Sequence, residues 1–341
     1  MRRAQGLFGH IATFAALRRA AFRAARGKRR SASAARFLDR LEPECLRLER
    51  ELLEDTWRPG PASTFAICDP KPRTITAVPF ADRVVHHALI GALEPVFERR
   101  MIAHSYACRR DKGMHAALAR VQRLVRRFRF ALRMDVRSFF PSLHHDVVFD
   151  SIERLVKDRR VLALVRRILA GPDDGPGGAL GLPIGSLTSQ WFANLVLDRL
   201  DHHACEVLRQ GGYTRYMDDF VCFDDDRDRL RDTRQALGAF LEQELRLVAK
   251  PTATRLMPTG CGVPWLGFSV FPGTTRLRPE NAKRYARRLR ELRWQCARER
   301  IDPTRYRRAV ASLLAHLRHG DTLELRRAWF RGLRATAEEL D

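Results

Sequence analysis

Two adjacent carboxylates, Asp218 and Asp219, stand between two apolar, aromatic-rich runs, Tyr213–Met217 and Phe220–Phe223. This pattern predicts a β-hairpin with both aspartates at its tip, where Asn-Gly or Asp-Gly is the more usual pair. Two like charges about 4 Å apart repel by roughly 4 kcal/mol at the effective dielectric near a protein surface. A divalent cation is the simplest way to offset that repulsion, although Asp-Asp pairs are also common in ordinary surface turns.

A further carboxylate, Asp135, lies at the end of a predicted strand, residues 132–136. A strand-end aspartate often serves only as a helix N-cap or a turn residue. If its strand neighbours the hairpin, however, three carboxylates converge on one sheet surface and can hold two Mg²⁺ ions about 3.5–4 Å apart. One ion would then activate a primer 3′-hydroxyl and the other would stabilise the leaving pyrophosphate.

The charge of the chain predicts a polyanionic partner. Its 341 residues include 63 Lys and Arg against 40 Asp and Glu, a formal net charge of +23. Such an excess favours nucleic acid over a membrane surface. Six of the basic residues are lysines and the rest are arginines, which bind phosphate in a bidentate manner. A GC-rich genome explains arginine in place of lysine, but not the size of the net charge.

Other sequence features exclude several protein classes. No apolar run approaches 18 residues, so we expect no membrane span and a cytoplasmic protein. The seven cysteines have neither Cys-x-x-Cys nor zinc-site spacing, and we expect them to be reduced core residues. The Arg- and Ala-rich first 30 residues imitate a transit peptide, but no cleavage pattern follows and a basic RNA-facing helix is favoured.

Hydrophobic periodicity predicts a mixture of helices and short strands. Helical spacing covers residues 7–26, 34–55, 81–100, 114–127, 145–169, 188–208, 229–246 and 280 onwards. Strands are predicted at residues 64–68 and 74–78, which form a hairpin with a basic turn, and at 132–136, 213–223 and 263–271. The order has neither a βαβ rhythm nor a repeat period, so the predicted fold class is α+β.

Taken together, these motifs resemble a reverse transcriptase. Tyr216–Asp219, preceded by Asp135 and then Phe140, is similar to the palm of that family. Five further segments are similar to successive blocks of bacterial retroelement enzymes: residues 65–73, 74–87, 105–113, 181–190 and 262–268. Because nearly the whole chain follows this order, the resemblance implies a right-hand polymerase that synthesises cDNA from an RNA template.

The resemblance also implies a division of the chain. The expected parts are a basic helical N-terminal extension at 1–60, fingers at 61–131, a palm at 132–272 with a finger-side insertion near 171–187, and a helical thumb at 273–341. Arginine rows in the predicted thumb, between residues 284 and 293, would follow the phosphates of the nucleic acid. We expect no RNase H, endonuclease or integrase-like domain beyond the thumb.

The same resemblance implies roles for individual residues. The metal site would comprise Asp135, Asp218, Asp219 and the backbone carbonyl of Val136, and would hold two Mg²⁺ ions, with Mn²⁺ as a possible substitute. Lys250 would protonate pyrophosphate, although lysines beside a proline turn are common on surfaces. The nucleotide-binding residues would be Lys71, Arg73, Phe140, Ile184 and Gln190. The primer and template would contact Tyr216, Met217, Gly262, Trp265, Leu266 and Gly267.

Partners follow from the same resemblance: an RNA template, a DNA or RNA primer, dNTPs and a small basic accessory protein, with no membrane. Phe140 resembles the gate that clashes with a ribose 2′-hydroxyl and so favours dNTPs. The alternative for Phe140 is core packing, since Phe139 is adjacent and only one of the two rings need face the pocket.

One departure from the family pattern narrows the subgroup. Most members carry Pro-Gln-Gly where this chain has Pro183-Ile184-Gly185, and the later Ser189-Gln190 strengthens a resemblance to diversity-generating retroelements. That resemblance implies error-prone copying at template adenines. Ile184 cannot supply a hydrogen bond of the kind worth about 1–3 kcal/mol in base discrimination. The alternative for Ile184 is ordinary core packing.

Two other functions remain open from the sequence. Within the same class, the enzyme could be a retron-like, group II intron-like or phage-defence reverse transcriptase. In a different class, it could be a catalytically silent RNA-binding scaffold, against which the intact carboxylates argue.

Overall fold

The computed structural model describes residues 3–29, 31–68, 72–171 and 179–338, and its fold is α+β. The helices are α1 (Phe14–Ala24), α2 (Ala32–Asp39), α3 (Leu41–Leu53), α4 (Phe80–Arg100), α5 (Met114–Arg127), α6 (His145–Glu153), α7 (Arg159–Ala170), α8 (Leu187–His202), α9 (Arg227–Leu245), α10 (Pro279–Ala297), α11 (Pro303–Leu317) and α12 (Leu323–Glu338). The strands are β1 (Ser63–Cys68), β2 (Pro72–Ala77), β3 (Phe130–Asp135), β4 (Gly212–Tyr216), β5 (Asp219–Asp224), β6 (Arg255–Pro258), β7 (Val263–Trp265), β8 (Phe268–Val270) and β9 (Thr275–Leu277).

Several helices begin at capping residues that the sequence supplies. The side chains of Thr13, Ser31, Asp158, Asp226 and Asp302 each accept a backbone N–H in the first turn of the helix that follows. Such a cap typically stabilises a helix by about 1 kcal/mol. The Asp158 cap starts α7 separately from α6, so the prediction of one continuous helix over 145–169 is wrong.

The central sheet is antiparallel, has the order β4-β5-β3-β6, and is covered on both faces. Leu132 and Met134 of β3 point into the main hydrophobic core. Ala131 points to the opposite face and joins Val221 and Phe223 in a second core under α5 and the β7-β8-β9 sheet. This alternation follows from the two-residue period of a strand.

The helix predicted over 34–55 divides into α2 and α3, and the one predicted over 7–26 becomes a 3-10 turn at Phe8–His10 followed by α1. Most other predicted elements are confirmed, with changes at their ends. The hairpin of β1 and β2 forms as predicted and exposes Phe65 and Ile67. The helix predicted to end at residue 208 stops as an α-helix at His202 and continues as a π-helical turn over His203–Val207. The predicted strand pair at 263–271 gains a third strand, β9, and the C-terminal region consists of α10, α11 and α12.

The prediction that the cysteines are core residues holds for only part of the set. All seven are free; Cys45 and Cys222 are buried, Cys205 and Cys296 are half-buried, and Cys68, Cys108 and Cys261 are exposed. Among the described residues, no helix combines the length and the apolar character needed to cross a bilayer.

Candidate active site

The hairpin of β4 and β5 carries the two adjacent aspartates on a two-residue turn. Tyr216 pairs with Asp219, so Met217 and Asp218 form the turn itself. Met217 has a φ of +55°, a left-handed conformation that costs a non-glycine residue about 1–2 kcal/mol. Strain of this kind collects at functional sites, where the surrounding structure must hold it in place.

Asp135 and Asp218 come together at the end of the central sheet. The antiparallel register of β3 and β5 sets Asp135 opposite Asp219, which brings the turn residue Asp218 alongside Asp135. The register therefore brings the carboxyl groups of Asp135 and Asp218 close together. Burial, and then the charge of Asp135, raise the pKa of the Asp218 carboxyl well above its usual range. Two carboxyls this close require a shared proton or a cation between them.

Asp219 has a different partner. Its Oδ1 and Oδ2 atoms accept hydrogen bonds from Nε and Nη2 of Arg133 at 2.9 and 2.7 Å, a bidentate ion pair. Burial raises the pKa of Asp219, and the Arg133 guanidinium opposes that rise. The structure therefore brings two of the three predicted carboxylates together and pairs the third with an arginine.

The donor set at this point fits a hard divalent cation such as Mg²⁺. Carboxylate and carbonyl oxygens are the ligands that Mg²⁺ prefers, and Asp135 and Asp218 supply two of them from adjoining elements. Across the described ranges, no group of three or more His, Cys, Asp or Glu side chains has the arrangement of a metal centre. Asp219 is instead hydrogen-bonded to Arg133 through both carboxylate oxygens.

The buried side chain of Arg215 stabilises the Met217–Asp218 turn. Arg215 and Asp201 are both fully buried, and their ion pair joins Nε to Oδ1 at 2.6 Å and Nη2 to Oδ2 at 2.5 Å. The same guanidinium donates to the Asn194 side-chain oxygen at 2.7 Å and to the Met217 carbonyl at 3.0 Å. Tyr213 donates its hydroxyl to Asp201 at 2.6 Å. Arg215 thus ties the strained turn to α8.

The segment around Lys250 runs beside Asp135. Val136 and Ala249 form an isolated antiparallel bridge, and the Lys250 N–H donates to the Asp135 carbonyl at 2.7 Å. Val136 is buried and Lys250 is half-buried. The backbone therefore brings both predicted residues to the carboxylate pair.

The loop before α8 carries Ile184 and is hydrogen-bonded through its backbone to another predicted residue, Phe140. Leu182 donates its N–H to the Phe140 carbonyl at 2.8 Å, and Thr76 of β2 donates to the Ile184 carbonyl at 3.1 Å. Phe139 is 3% exposed in the core whereas Phe140 is half-buried, so Phe140 is the ring of the pair with an open face. Ile184 is also half-buried, which does not match a fully packed core position.

The remaining predicted nucleotide-binding residues have different surroundings. Gln190 is half-buried on α8, with its side-chain oxygen 3.5 Å from Sγ of Cys108. Lys71 lies outside the described residues, as does the side chain of Arg73.

The predicted primer-contacting segment is a tight turn between β7 and β8. Leu266 and Gly267 have φ values of +45° and +90°, and the Gly267 carbonyl accepts hydrogen bonds from Asn281 at 2.9 Å and from the Arg278 N–H at 3.1 Å. The charge of Arg278, like that of Arg133, opposes the burial that raises the pKa of Asp219. Trp265 is 1% exposed, so its indole packs in the core.

Two other predicted members of this set keep open faces. Tyr216 and Met217 are half-buried. Gly262 has a φ of +85°, and an added Cβ would lie 2.5 Å from the Phe271 ring, so glycine is required there.

Sequence reasoning missed Arg133 and the Arg215 network. The signal for Arg133 was present, because residues two apart on a strand share a face and Arg133 precedes Asp135 by two. Its partner Asp219 is then a diagonal neighbour on β5. The signal for Arg215 was weaker: an arginine inside an otherwise apolar strand requires a buried anion. The identity of that anion, Asp201, was not readable from sequence spacing.

Comparison with known proteins agrees with these motifs. Residues 68–270 match the reverse transcriptase (RNA-dependent DNA polymerase) family. Protein YkfC of Escherichia coli is 24% identical over 75% of this chain and 81% of its own length. The group II intron-encoded protein LtrA of Lactococcus lactis is 23% identical over 49% of this chain.

The matched intron proteins are much longer than the matched region, since the chain spans 29% of LtrA and 13% of the Arabidopsis thaliana nuclear intron maturase 1. A telomerase structure from Candida tropicalis covers 64% of this chain and 55% of its own at 11% identity, with a TM-score of 0.49. Because the family match covers more than half of the sequence, the chain belongs to the reverse transcriptase family and is an RNA-directed DNA polymerase.

Proposed function

We propose that this protein copies an RNA template into cDNA, using Mg²⁺ held by Asp135 and Asp218. The observation that carries the proposal is the strand register that sets Asp218 beside Asp135 at the end of the central sheet. A cation between them would replace the proton that the pair otherwise shares. When bound, Mg²⁺ would supply activation of the primer 3′-hydroxyl and charge stabilisation for pyrophosphate.

The chain's own residues then position the reactants. The Arg215 contact with the Met217 carbonyl supports a fixed position for Asp218, and the Lys250 N–H supports one for Asp135. The Val136 carbonyl is proposed as a further ligand, and the Lys250 ammonium as the proton donor to pyrophosphate. Effective transfer depends on this pre-organisation, because misplacement by 1 Å can cost about 100-fold in rate.

The open face of Phe140 supports selection of dNTPs. A ribose 2′-hydroxyl in the pocket would meet the ring and find no hydrogen-bond partner there. The surrounding parts are proposed as fingers (61–131), palm (132–272) and thumb (273–341), after the N-terminal extension (1–60). The RNA template, the primer and a small basic accessory protein are the proposed partners.

We further propose low fidelity, concentrated at template adenines as in diversity-generating retroelements. Ile184 lies on a loop whose backbone is hydrogen-bonded both to β2 of the exposed β1-β2 hairpin and to Phe140. Its side chain offers no hydrogen bond to a nascent base pair. A missing contact of about 1–3 kcal/mol lowers discrimination by roughly 5- to 150-fold.

A group II intron-like role is the second candidate. The observation in its favour is the set of intron-encoded relatives, including LtrA over 49% of this chain and the Arabidopsis maturases over 28–37%. Copying by such an enzyme would not concentrate its errors at one template base.

Primer extension tests the carboxylate assignment. Asp218→Asn is expected to reduce dNTP incorporation on an RNA template at least about 100-fold, because one anionic ligand is lost. Asp232→Asn, an exposed residue of α9, makes the same chemical change away from the site and should leave extension unchanged. Equal extension by the wild type and Asp218→Asn would contradict the assignment, and no extension by the wild type would favour the silent scaffold.

Sequencing of the cDNA from a mixed RNA template tests fidelity separately. The wild type is expected to misincorporate mainly at adenines, and Ile184→Gln to lower that error rate by about tenfold. Ile184→Leu preserves volume without adding a hydrogen-bonding group and serves as the control. Errors spread evenly over the four template bases would remove the diversity-generating assignment and favour the intron-like role.

A further inference from the structure

A groove between α1 and α4 encloses a cavity of about 440 Å³. Its floor is apolar and includes Ala16, Ala88 and Val96. Its rim is basic and consists of His10, Arg19, Arg23 and Arg99. No acidic residue of the described ranges lines this cavity, which we call the arginine groove.

The positive charge of the rim has no counter-ion within the described part of the chain. Arg19, Arg23 and Arg99 are exposed and form no ion pair there, whereas Arg109 donates to both carboxylate oxygens of Glu98. Arg99 lies in the last turn of α4, where a cation is favourable to the helix dipole. Arg19 and Arg23 are four residues apart on one face of α1, a like-charge spacing that costs about 0.2–0.5 kcal/mol. An external anion would offset that cost.

Gly91 of α4 leaves room for one of these guanidiniums. A Cβ atom at this position would lie 2.8 Å from Nη2 and 3.3 Å from Cζ of Arg23. A glycine inside a helix is less favourable than alanine by about 0.5–1 kcal/mol. Gly91 therefore lowers the helix propensity of α4 at a position where the Arg23 guanidinium lies against the helix.

The chemistry of the groove fits a phosphodiester strand. Guanidinium groups bind phosphate with paired N–H donors, and an apolar floor can accommodate ribose. The cavity is larger than a lone phosphate requires, and its exposed rim is accessible to a polymer. Since the chain belongs to an RNA-copying family and has a net charge of +23, RNA is the favoured polyanion.

We propose that the arginine groove binds the sugar-phosphate backbone of RNA, apart from the polymerase site. His86, five residues before Gly91 on α4, hydrogen-bonds Ser186 of the Ile184 loop at 3.2 Å. Five residues turn an α-helix by about 140°, so the groove and the Ile184 loop adjoin different faces of α4. RNA held in the groove would therefore be a segment other than the nucleotide being copied.

Binding of a short fluorescein-labelled single-stranded RNA in EDTA tests the proposal without polymerase chemistry. The double variant Arg19→Gln/Arg23→Gln is expected to weaken binding about tenfold and to lower the salt slope by about 1.4, since each phosphate contact contributes about 0.7. The variant Arg227→Gln/Arg234→Gln removes the same charge from exposed positions on α9 and is the matched control. Equal weakening by the two double variants would overturn the proposal.

Gly91→Ala provides a second test that leaves every charge in place. It should weaken RNA binding several-fold while the melting temperature holds or rises, because alanine displaces the Arg23 guanidinium and favours the helix. Gly238→Ala in α9 is its control, since an added Cβ there meets nothing within 4 Å. Unchanged RNA binding by Gly91→Ala would overturn the proposal. So would an Arg19→Gln/Arg23→Gln variant that loses more affinity for single-stranded DNA than for RNA.

Discussion

Arg133 and Asp219 illustrate how one residue alters the chemistry of its neighbour. Arg133 precedes Asp135 by two residues, so it lies on the same face of β3 and meets the diagonal carboxylate of Asp219 on β5. Both side chains are less than one-fifth exposed, so separating the pair would leave an uncompensated charge. Asp219 is accordingly held by Arg133 in this structure.

The consequence is an unequal effect of the two hairpin aspartates on metal binding. Asp218→Asn should weaken Mn²⁺ binding about tenfold or more, whereas Arg133→Gln/Asp219→Asn, which replaces the ion pair with an amide pair, should stay within about threefold of the wild type. Titration of free Mn²⁺ by electron paramagnetic resonance measures this without any catalytic turnover. The same loss in both proteins would contradict the assignment of Asp219 to Arg133.

At the scale of elements, the hairpin depends on the helix behind it. The Arg215 guanidinium reaches from β4 to Asp201 on α8 and returns to the Met217 carbonyl in the turn. Arg215 and Asp201 are both 0% exposed, so bulk solvent does not reach them to replace a lost partner. The strained turn and the buried ion pair are therefore one structural unit.

Removing the buried anion should destabilise that unit strongly. Asp201→Asn is expected to lower the free energy of unfolding by about 3–5 kcal/mol, because it leaves the Arg215 charge buried without an anion. Urea denaturation measures this loss. Glu291→Gln breaks the exposed Arg288–Glu291 pair and should cost less than about 1 kcal/mol. Comparable losses in the two variants would show that the Arg215 pair adds little stability.

At the scale of the whole molecule, the C-terminal helices dock through a histidine cluster. The rings of His115 on α5 and His319 after α11 stack with centroids 3.4 Å apart, and His316 lies beside them. Burial, followed by the neighbouring histidine charges, lowers the pKa of His316 and of His319. Arg284 lowers the pKa of His316 further, and Tyr285 packs edge-on against its ring.

This cluster predicts a pH dependence of the docking. A histidine whose pKa is lowered by folding contributes full stability above its unfolded pKa of about 6.5 and loses it as the pH falls below that value. At about pH 5.5 part of the stability contributed by the half-buried His316 should be lost, and less of that contributed by the exposed His319. Hydrogen exchange in α11, corrected for its intrinsic pH dependence, should therefore be several-fold faster at about pH 5.5 than at about pH 7.5. His115→Phe retains a ring for stacking and should reduce this dependence; an unaltered dependence would contradict it.

Much of the fold could be read from local patterns. The hairpins, the strand before Asp135 and the helix over residues 114–127 follow from periodicity and turn residues, which act over a few positions. The break between α6 and α7 was missed because both helices have apolar spacing and the Asp158 cap was not recognised. The candidate site residues could also be identified from the sequence, because each family motif is a short, local segment.

The sequence by itself determined the carboxylates, the elements that carry them and the family of the chain. The tertiary structure alone decided which carboxylate faces which partner: Asp218 meets Asp135, Asp219 meets Arg133, and Asp201 meets Arg215. It also decided that Trp265 is buried and that Arg23 rests on Gly91. These pairings join residues that are up to 86 positions apart, so they depend on strand register and helix packing, which local sequence patterns do not encode.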